Sequence, residues 1–325
     1  MTVTRITKPH LPFAVVALVL IGCDDANTAS TAPAPDAAPR PQLAYASAPK
    51  SVVVQSEKIT GGGGLSLSIY EAGTPGTPPI VLIHGFTQNF LMWDEQFRGL
   101  ARSFNLLTYD LRGHGASDKP LEPQLYTESS LWADDLAAVI QARNLHRPVL
   151  VGWSYGGYVI ADYVRKFGDS GLGGIVFLAA VTKQGTDEAA AFFTNEVLAI
   201  FPDVLSPEVR ASIDGTRALA SLFTRRGSEQ YEIALASGMM VPPVVRLAMF
   251  SRLLDNDDVL ASIRVPTLVV QGAADRVVKP SAAQHIASTV PGARLLMYPG
   301  VGHAPYLEVA ARFNRDLAEF VRSVQ

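Results

Sequence analysis

The sequence predicts an α/β domain built on a mostly parallel sheet flanked by helices, and three observations carry that expectation. From about residue 52 onward, short apolar runs alternate with helix-period segments. The later runs are apolar throughout rather than at every second residue, which is the pattern of strands buried on both faces. A small-residue turn, Gly152-Trp153-Ser154-Tyr155-Gly156-Gly157, sits between one such run and a helical pattern. The composition agrees, since 325 residues with 48% hydrophobic and 18% charged side chains can bury a large core.

Taken in order, the chain begins with basic Arg5 and Lys8 and an apolar stretch from Leu11 to Ile21, the n- and h-regions of a signal peptide over residues 1–22. That stretch falls short of the roughly 20 residues a membrane-spanning helix needs. It ends Leu20-Ile21-Gly22-Cys23, which resembles the lipobox of bacterial lipoproteins, and Cys23 is the only cysteine of the chain. With no disulfide possible within the chain, lipidation at Cys23 accounts for that residue, and the expected location is the cell envelope, lipid-anchored at the membrane and extracytoplasmic. Residues 23–50 are rich in Ala, Pro, Ser and Thr and read as a disordered tether. The folded domain is expected over residues 51–325.

Eight strands follow. Residues 52–59 and 65–72 form the first two, with Gly61–Gly64 as a flexible hairpin turn lacking the Lys-Ser/Thr of a phosphate loop. The others are residues 80–83, 106–109, 148–151, 175–179, 267–271 and 294–298. In residues 130–144, Trp132, Leu136, Val139 and Ile140 repeat at helical spacing, and a last helix is expected over 309–324. The interval from Ala180 to Val265 is far too long for a loop of an α/β unit. It reads as a helical cap at about 184–258, folded over the strand ends. Two apolar patches lie in it, one around Phe192, Phe193, Val197 and Phe201, the other from Leu235 to Phe250. Met239 and Met240 are the expected pocket wall because flexible thioethers suit an adaptable surface, together with Trp153 beside the serine.

The turn at Ser154 forces a serine onto a strained strand-to-helix corner at the carboxyl edge of the sheet. The N–H of Tyr155, at the start of the following helix, points where an oxyanion would form. A hydroxyl needs a base oriented by a carboxylate. Of the six histidines, His10 lies in the signal, His146 in a turn and His285 in a segment read as a surface helix. His84 and His114 sit at strand ends and read as braces, as does Arg112, although substrate contact stays open for Arg112 and His114. His303, on a loop between the last strand and the last helix, is the expected base. The acid between them in chain order is Asp275, with Asp255, Asp257 and Asp258 as rivals. Gly85 allows a sharp turn that presents the N–H of Phe86 as a second oxyanion donor.

These motifs together, His84-Gly85-Phe86, Asp110-Leu111-Arg112-Gly113-His114-Gly115-Ala116-Ser117-Asp118, the elbow at Ser154, Gly272 to Asp275 and Gly302-His303-Ala304-Pro305, resemble the α/β-hydrolase superfamily over residues 52–325. Within it the chain is most similar to esterases and cofactor-free haloperoxidases, also called perhydrolases, particularly in Tyr163-Val164-Arg165-Lys166-Phe167-Gly168. The resemblance implies an α/β-hydrolase fold and acyl transfer from a small-molecule ester, with activity falling in acid as His303 takes up a proton. Haloalkane dehalogenases and epoxide hydrolases carry an aspartate where Ser154 stands, so neither activity is expected.

No metal or organic cofactor is implied, for there is no His-Glu-x-x-His or Cys-x-x-Cys. A net charge of −3, with no basic cluster longer than Arg225-Arg226, argues against nucleic acid as a partner. Three readings stay open: a carboxylic ester hydrolase, a perhydrolase or carbon–carbon bond hydrolase with the same residues, and a membrane-tethered ligand-binding protein. Oligomeric state is not legible.

Overall fold

Each of the eight runs expected to form a strand does so in the computed structural model, which describes residues 42–44 and 52–325. The first half contains β1 (Gln42–Ala44), β2 (Val53–Thr60), β3 (Ser66–Gly73), β4 (Pro79–Ile83), α1 (Asp94–Leu100), β5 (Asn105–Tyr109), α2 (Gln124–Thr127), α3 (Ser129–Ala142), β6 (Val149–Trp153), α4 (Gly156–Phe167) and β7 (Gly174–Leu178). An excursion follows: β8 (Lys183–Gln184), α5 (Asp187–Ala190), α6 (Asn195–Val204), α7 (Val209–Phe223), α8 (Glu229–Met239), α9 (Pro243–Phe250), β9 (Leu254–Asp255) and α10 (Asp257–Ser262). The chain returns through β10 (Thr267–Gly272), α11 (Pro280–Thr289), β11 (Arg294–Tyr298), α12 (Pro305–Glu308) and α13 (Ala310–Val324). The segments read as signal peptide, the Cys23 lipidation site and most of the tether lie outside the described residues.

The main sheet runs in the order β1-β2-β3-β5-β4-β6-β7-β10-β11. From β5 to β11 every neighbouring pair is parallel, and β1, β2 and β3 add antiparallel strands at one side. The eight expected strands are all there. The ninth, β1, falls inside the segment read as tether and pairs with β2. Backbone pairing to an open edge does not require an apolar sequence, so composition hid it. β6, β7 and β10 are buried along their whole length, as continuous apolar strands in a parallel sheet require. Helix α3 packs on α4, and α1 on α13. The inward face of α13 is Phe313, Leu317, Phe320 and Val321, each contributing about 1.5–3 kcal/mol by its burial.

The hairpin turn after β2 is pinned rather than flexible. Gly62 N–H donates to Asp135 Oδ1 at 2.8 Å, and Arg112, fully buried, grips Asp135 with two bonds of 2.7 and 2.8 Å while donating to the carbonyls of Gly62, Leu125 and Leu131. Burial raises the Asp135 carboxyl above its ordinary range, and the Arg112 guanidinium opposes that rise. With all three guanidinium nitrogens hydrogen-bonded and the side chain fully buried, Arg112 is a structural cation.

The excursion leaves and re-enters through an antiparallel stem, β8 against β9. Lys183 staples it: its ammonium lies 2.8 Å from Glu188, 2.7 Å from Asp257 and 3.5 Å from Asp255. Inside the excursion, buried Arg246 donates to the carbonyls of Val204, Gly238 and Val241 and to the hydroxyls of Ser212 and Thr216. Three of these acceptors sit at the C-terminal ends of α6 and α8, where orphan carbonyls and the negative end of each helix dipole favour a cation. Burial pushes the guanidinium down to about 10, so it stays charged at neutral pH. Arg252, just after α9, donates to Asp162 on α4 at 2.6 Å, to Ser129 at 2.8 Å and to the Tyr155 hydroxyl at 3.3 Å. The Arg112 and Arg252 guanidinium groups lie 5.7 and 5.5 Å from the centre of the Trp132 ring.

Candidate active site

Ser154 stands at the corner between β6 and α4 with φ at +52°, in the left-handed region. The cost of that conformation for a residue with a side chain is of order 1–3 kcal/mol. Backbone bonds hold it: Ser154 N–H donates to Leu178 O at 3.0 Å, and its carbonyl accepts from Gly157 at 2.9 Å and Val181 at 3.3 Å. The flanking glycines are there for space. A Cβ on Gly152 would lie 2.6 Å from the Gly156 carbonyl oxygen, and one on Gly156 would lie 2.7 Å from that of Ile83.

His303 comes from the loop between β11 and α12, and Asp275 from the loop after β10. The structure brings them together, with His303 Nδ1 and Asp275 Oδ2 2.8 Å apart and both side chains buried. An ionised carboxylate accepts only, so Nδ1 carries the hydrogen and Nε2 is left with its lone pair. Asp275 is itself saturated: Oδ1 accepts from the N–H groups of Val277 and Val278 at 2.7 and 2.9 Å, and Oδ2 also accepts from Gln271 Nε2 at 2.8 Å. The rival carboxylates are engaged elsewhere, Asp258 with Arg165 and Asp255 and Asp257 with Lys183. His285, on α11, bonds Asp257 of α10 at 2.7 Å.

Sequence reasoning missed three supports of the His303 loop. Gln271 follows the apolar run Leu268–Val270 near the end of β10, and a polar residue fully buried there needs a polar partner. Glu308 accepts from Gly302 N–H at 2.8 Å and Ala304 N–H at 3.2 Å, clamping the backbone on either side of His303. Trp153 Nε1 donates to the His303 carbonyl at 2.9 Å.

The loop after β4 carries Phe86. Gly85 serves here by closeness and not by an unusual turn, because a Cβ on it would lie 3.1 Å from that of Ser154. The left-handed residue is instead Thr87, at φ +61°. Thr87 N–H donates to His114 Nε2 at 3.2 Å and Leu111 N–H to His84 Nε2 at 3.0 Å, while each imidazole Nδ1 faces a carbonyl, of Arg112 and Gly85 respectively. Both rings therefore hold Nδ1–H and stay neutral. Burial lowers His84, with Asp110 opposing, and lowers His114 further, with His84 adding to the effect. These two histidines brace the loop. Among the described residues, the N–H groups of Phe86 and Tyr155 donate to no protein acceptor.

Ser154 and His303 line one cavity with about 460 Å³ of empty space, little of it wide enough for a water molecule. Phe86, Trp153, Tyr155 and Tyr158 form its wall on the sheet side, and Phe193, Phe201, Phe223 and Phe250 close it from the excursion, with Val197 and Leu219 between them. Met239 and Met240 are not part of the wall. They are 39% and 51% exposed at the end of α8, whose inward face is Tyr231, Ala234, Ser237 and Gly238. The helical register therefore turns both thioethers to solvent. The aromatic rings of the two apolar patches take the place the methionines were expected to fill.

Comparison with known proteins agrees with this fold. An esterase from Rhodococcus sp. ECU1013 superposes with a TM-score of 0.79 at 30% identity, covering 83% of this chain and 99% of its own. A non-heme chloroperoxidase from Streptomyces lividans is 29% identical over 82% of this chain and 99% of its own length. A bifunctional esterase/perhydrolase from Acinetobacter calcoaceticus is 27% identical over 82% and 99% respectively. The model of the alpha/beta hydrolase fold family matches residues 78–310. On that match and on the sheet order, elbow and loops that carry it, the chain belongs to the alpha/beta hydrolase fold family.

Proposed function

We propose that this chain is a serine hydrolase that cleaves a carboxylic ester through an acyl-enzyme on Ser154, with His303 as base, Asp275 as orienting acid and the N–H groups of Phe86 and Tyr155 as oxyanion donors. The observation that carries the reading is the 2.8 Å His303–Asp275 bond beside a strained serine that shares its cavity. Ser154 Oγ attacks the ester carbonyl while His303 Nε2 takes its proton. The carbonyl oxygen becomes an oxyanion, and two donors aimed at it matter because losing one typically costs on the order of 10²–10³ in kcat. Collapse expels the alcohol, which takes the proton from His303. Water then attacks the acyl-enzyme with His303 again as base, releasing the acid and restoring Ser154. Asp275 keeps Nδ1–H directed and offsets the imidazolium charge in each half.

Relatives named as a chloroperoxidase and an esterase/perhydrolase support a second reading on the same residues. Hydrogen peroxide in place of water would attack the acyl-enzyme and release a peracid. A fluorophosphonate probe should label the wild type and not Ser154→Ala, and that substitution should lower ester turnover by roughly 10⁴-fold or more. A folded wild type that takes no label would remove both readings in favour of a ligand-binding role. Faster consumption of the acyl-enzyme by peroxide than by water would select the second.

We also propose that the chain is anchored at the cell envelope by lipid on Cys23, a reading supported by the lipobox-like Leu20-Ile21-Gly22-Cys23. Cys23→Ala should move the protein from the membrane to the soluble fraction, and unchanged fractionation would overturn it.

A further inference from the structure

The cavity that holds Ser154 does not stop at open solvent on every side. A second, more open cleft, with about 630 Å³ of empty space, shares one lining residue with it, Phe223. Phe223 is the last residue of α7, and the backbone turns extended at Thr224. Its ring packs edge-on against Trp153 at 5.5 Å and against His303 at 6.3 Å between centroids. The two spaces differ in chemistry. The inner one is walled by aromatic and aliphatic groups, whereas the outer one presents Glu95, Arg225, Ser228, Gln230 and Glu308.

The reaction itself says which part of a substrate faces that partition. His303 must deliver a proton to the leaving alcohol, so the alcohol oxygen of the ester lies on the His303 side of the tetrahedral carbon. Phe223 is the wall on that side. We propose that Phe223 is the specificity-determining residue for the alcohol part of the ester: it confines the wild type to esters of small alcohols, and the polar cleft behind it is an alcohol subsite opened when the ring is removed or swings aside. This rests on the ester-hydrolase reading above. Glu308 belongs to both features, lining the cleft while clamping the His303 loop, so a polar alcohol occupying the cleft would sit against the support of the base.

Two series of esters test the proposal, one with a fixed short acyl group and alcohols of increasing length or polarity, the other with a fixed small alcohol and lengthening acyl chains. Phe223→Ala should raise kcat/KM for the larger alcohols relative to the smallest by roughly tenfold or more, leaving the ratios within the acyl series as in the wild type. Phe223→Leu should give an intermediate alcohol profile, and Phe223→Trp should narrow it; these variants also stand in should the alanine variant fail to fold. A shift in the acyl series, or unchanged alcohol ratios in variants that still take the fluorophosphonate label, would overturn the assignment. Absence of label and of turnover in the wild type would instead overturn the hydrolase reading on which it rests.

Discussion

Asp275 Oδ2 receives both the His303 imidazole and the Gln271 amide, so the direction of the proposed base is set two residues deep. A hydrogen bond to a charged group contributes about 1.5–3 kcal/mol. Gln271→Leu should therefore lower kcat by roughly tenfold or more with KM little changed, since the amide touches the acid and not the substrate; steady-state kinetics on one ester decide it, and a KM effect alone would refute the role. His114 offers a prediction about acid. Its value is held well below the ordinary histidine range by burial, so below about pH 6.5 the unfolded chain binds a proton that the native fold refuses. The stability contributed by a neutral His114 is complete above that pH and is lost as pH falls through it, by about 1.4 kcal/mol per pH unit until the lowered native value is reached. The gap in urea-unfolding free energy between wild type and His114→Gln should close at that slope between pH 6.5 and 5. A constant gap would mean that the residue titrates alike in both states.

Helices α6 and α8 end on the same guanidinium, and this single contact organises much of the excursion that closes the cavity. Arg246 has no carboxylate partner among its hydrogen bonds, only carbonyls and hydroxyls. Arg246→Leu would strand the buried carbonyls of Val204 and Val241 at about 1–3 kcal/mol each, so a loss of about 2 kcal/mol or more is expected in chemical unfolding. Cleavage by a broad-specificity protease should then begin within residues 195–250. Arg246→Lys should recover only part of the loss, because one ammonium cannot span acceptors arranged for a planar fork. Wild-type stability in the leucine variant would show that the helix ends find other donors. The sequence disclosed α6 and α9 as apolar patches but not which side chains face the cavity. A shift of one residue moves a side chain about 100° around a helix, enough to send Met239 and Met240 to solvent.

Across the whole molecule, the excursion is tied to α4, the helix after Ser154, by Arg252 and Asp162, and to its own stem by Lys183. Burial raises Asp162 above the ordinary carboxylate range, with Arg252 opposing, which is the signature of a pair that is costly to split. Asp162→Leu alone should destabilise by about 3–5 kcal/mol, whereas Asp162→Leu with Arg252→Met should return most of that; equal losses for single and double variants in thermal unfolding would refute the coupling. The sequence by itself determined the eight strands, the elbow at Ser154 and the order of Ser154, Asp275 and His303, because strand burial and a strained turn leave local marks in residue type and spacing. It did not determine β1, the pinned glycine turn, the Gln271, Glu308 and Trp153 supports, or the aromatic wall with Phe223 at its edge. Trp153 and His303 stand 150 positions apart and Gly62 and Asp135 73 apart, and even the near pairs, Gln271 with Asp275 and Glu308 with Gly302, leave no periodic mark in residue type; which buried groups meet is decided only when the sheet and the excursion pack together.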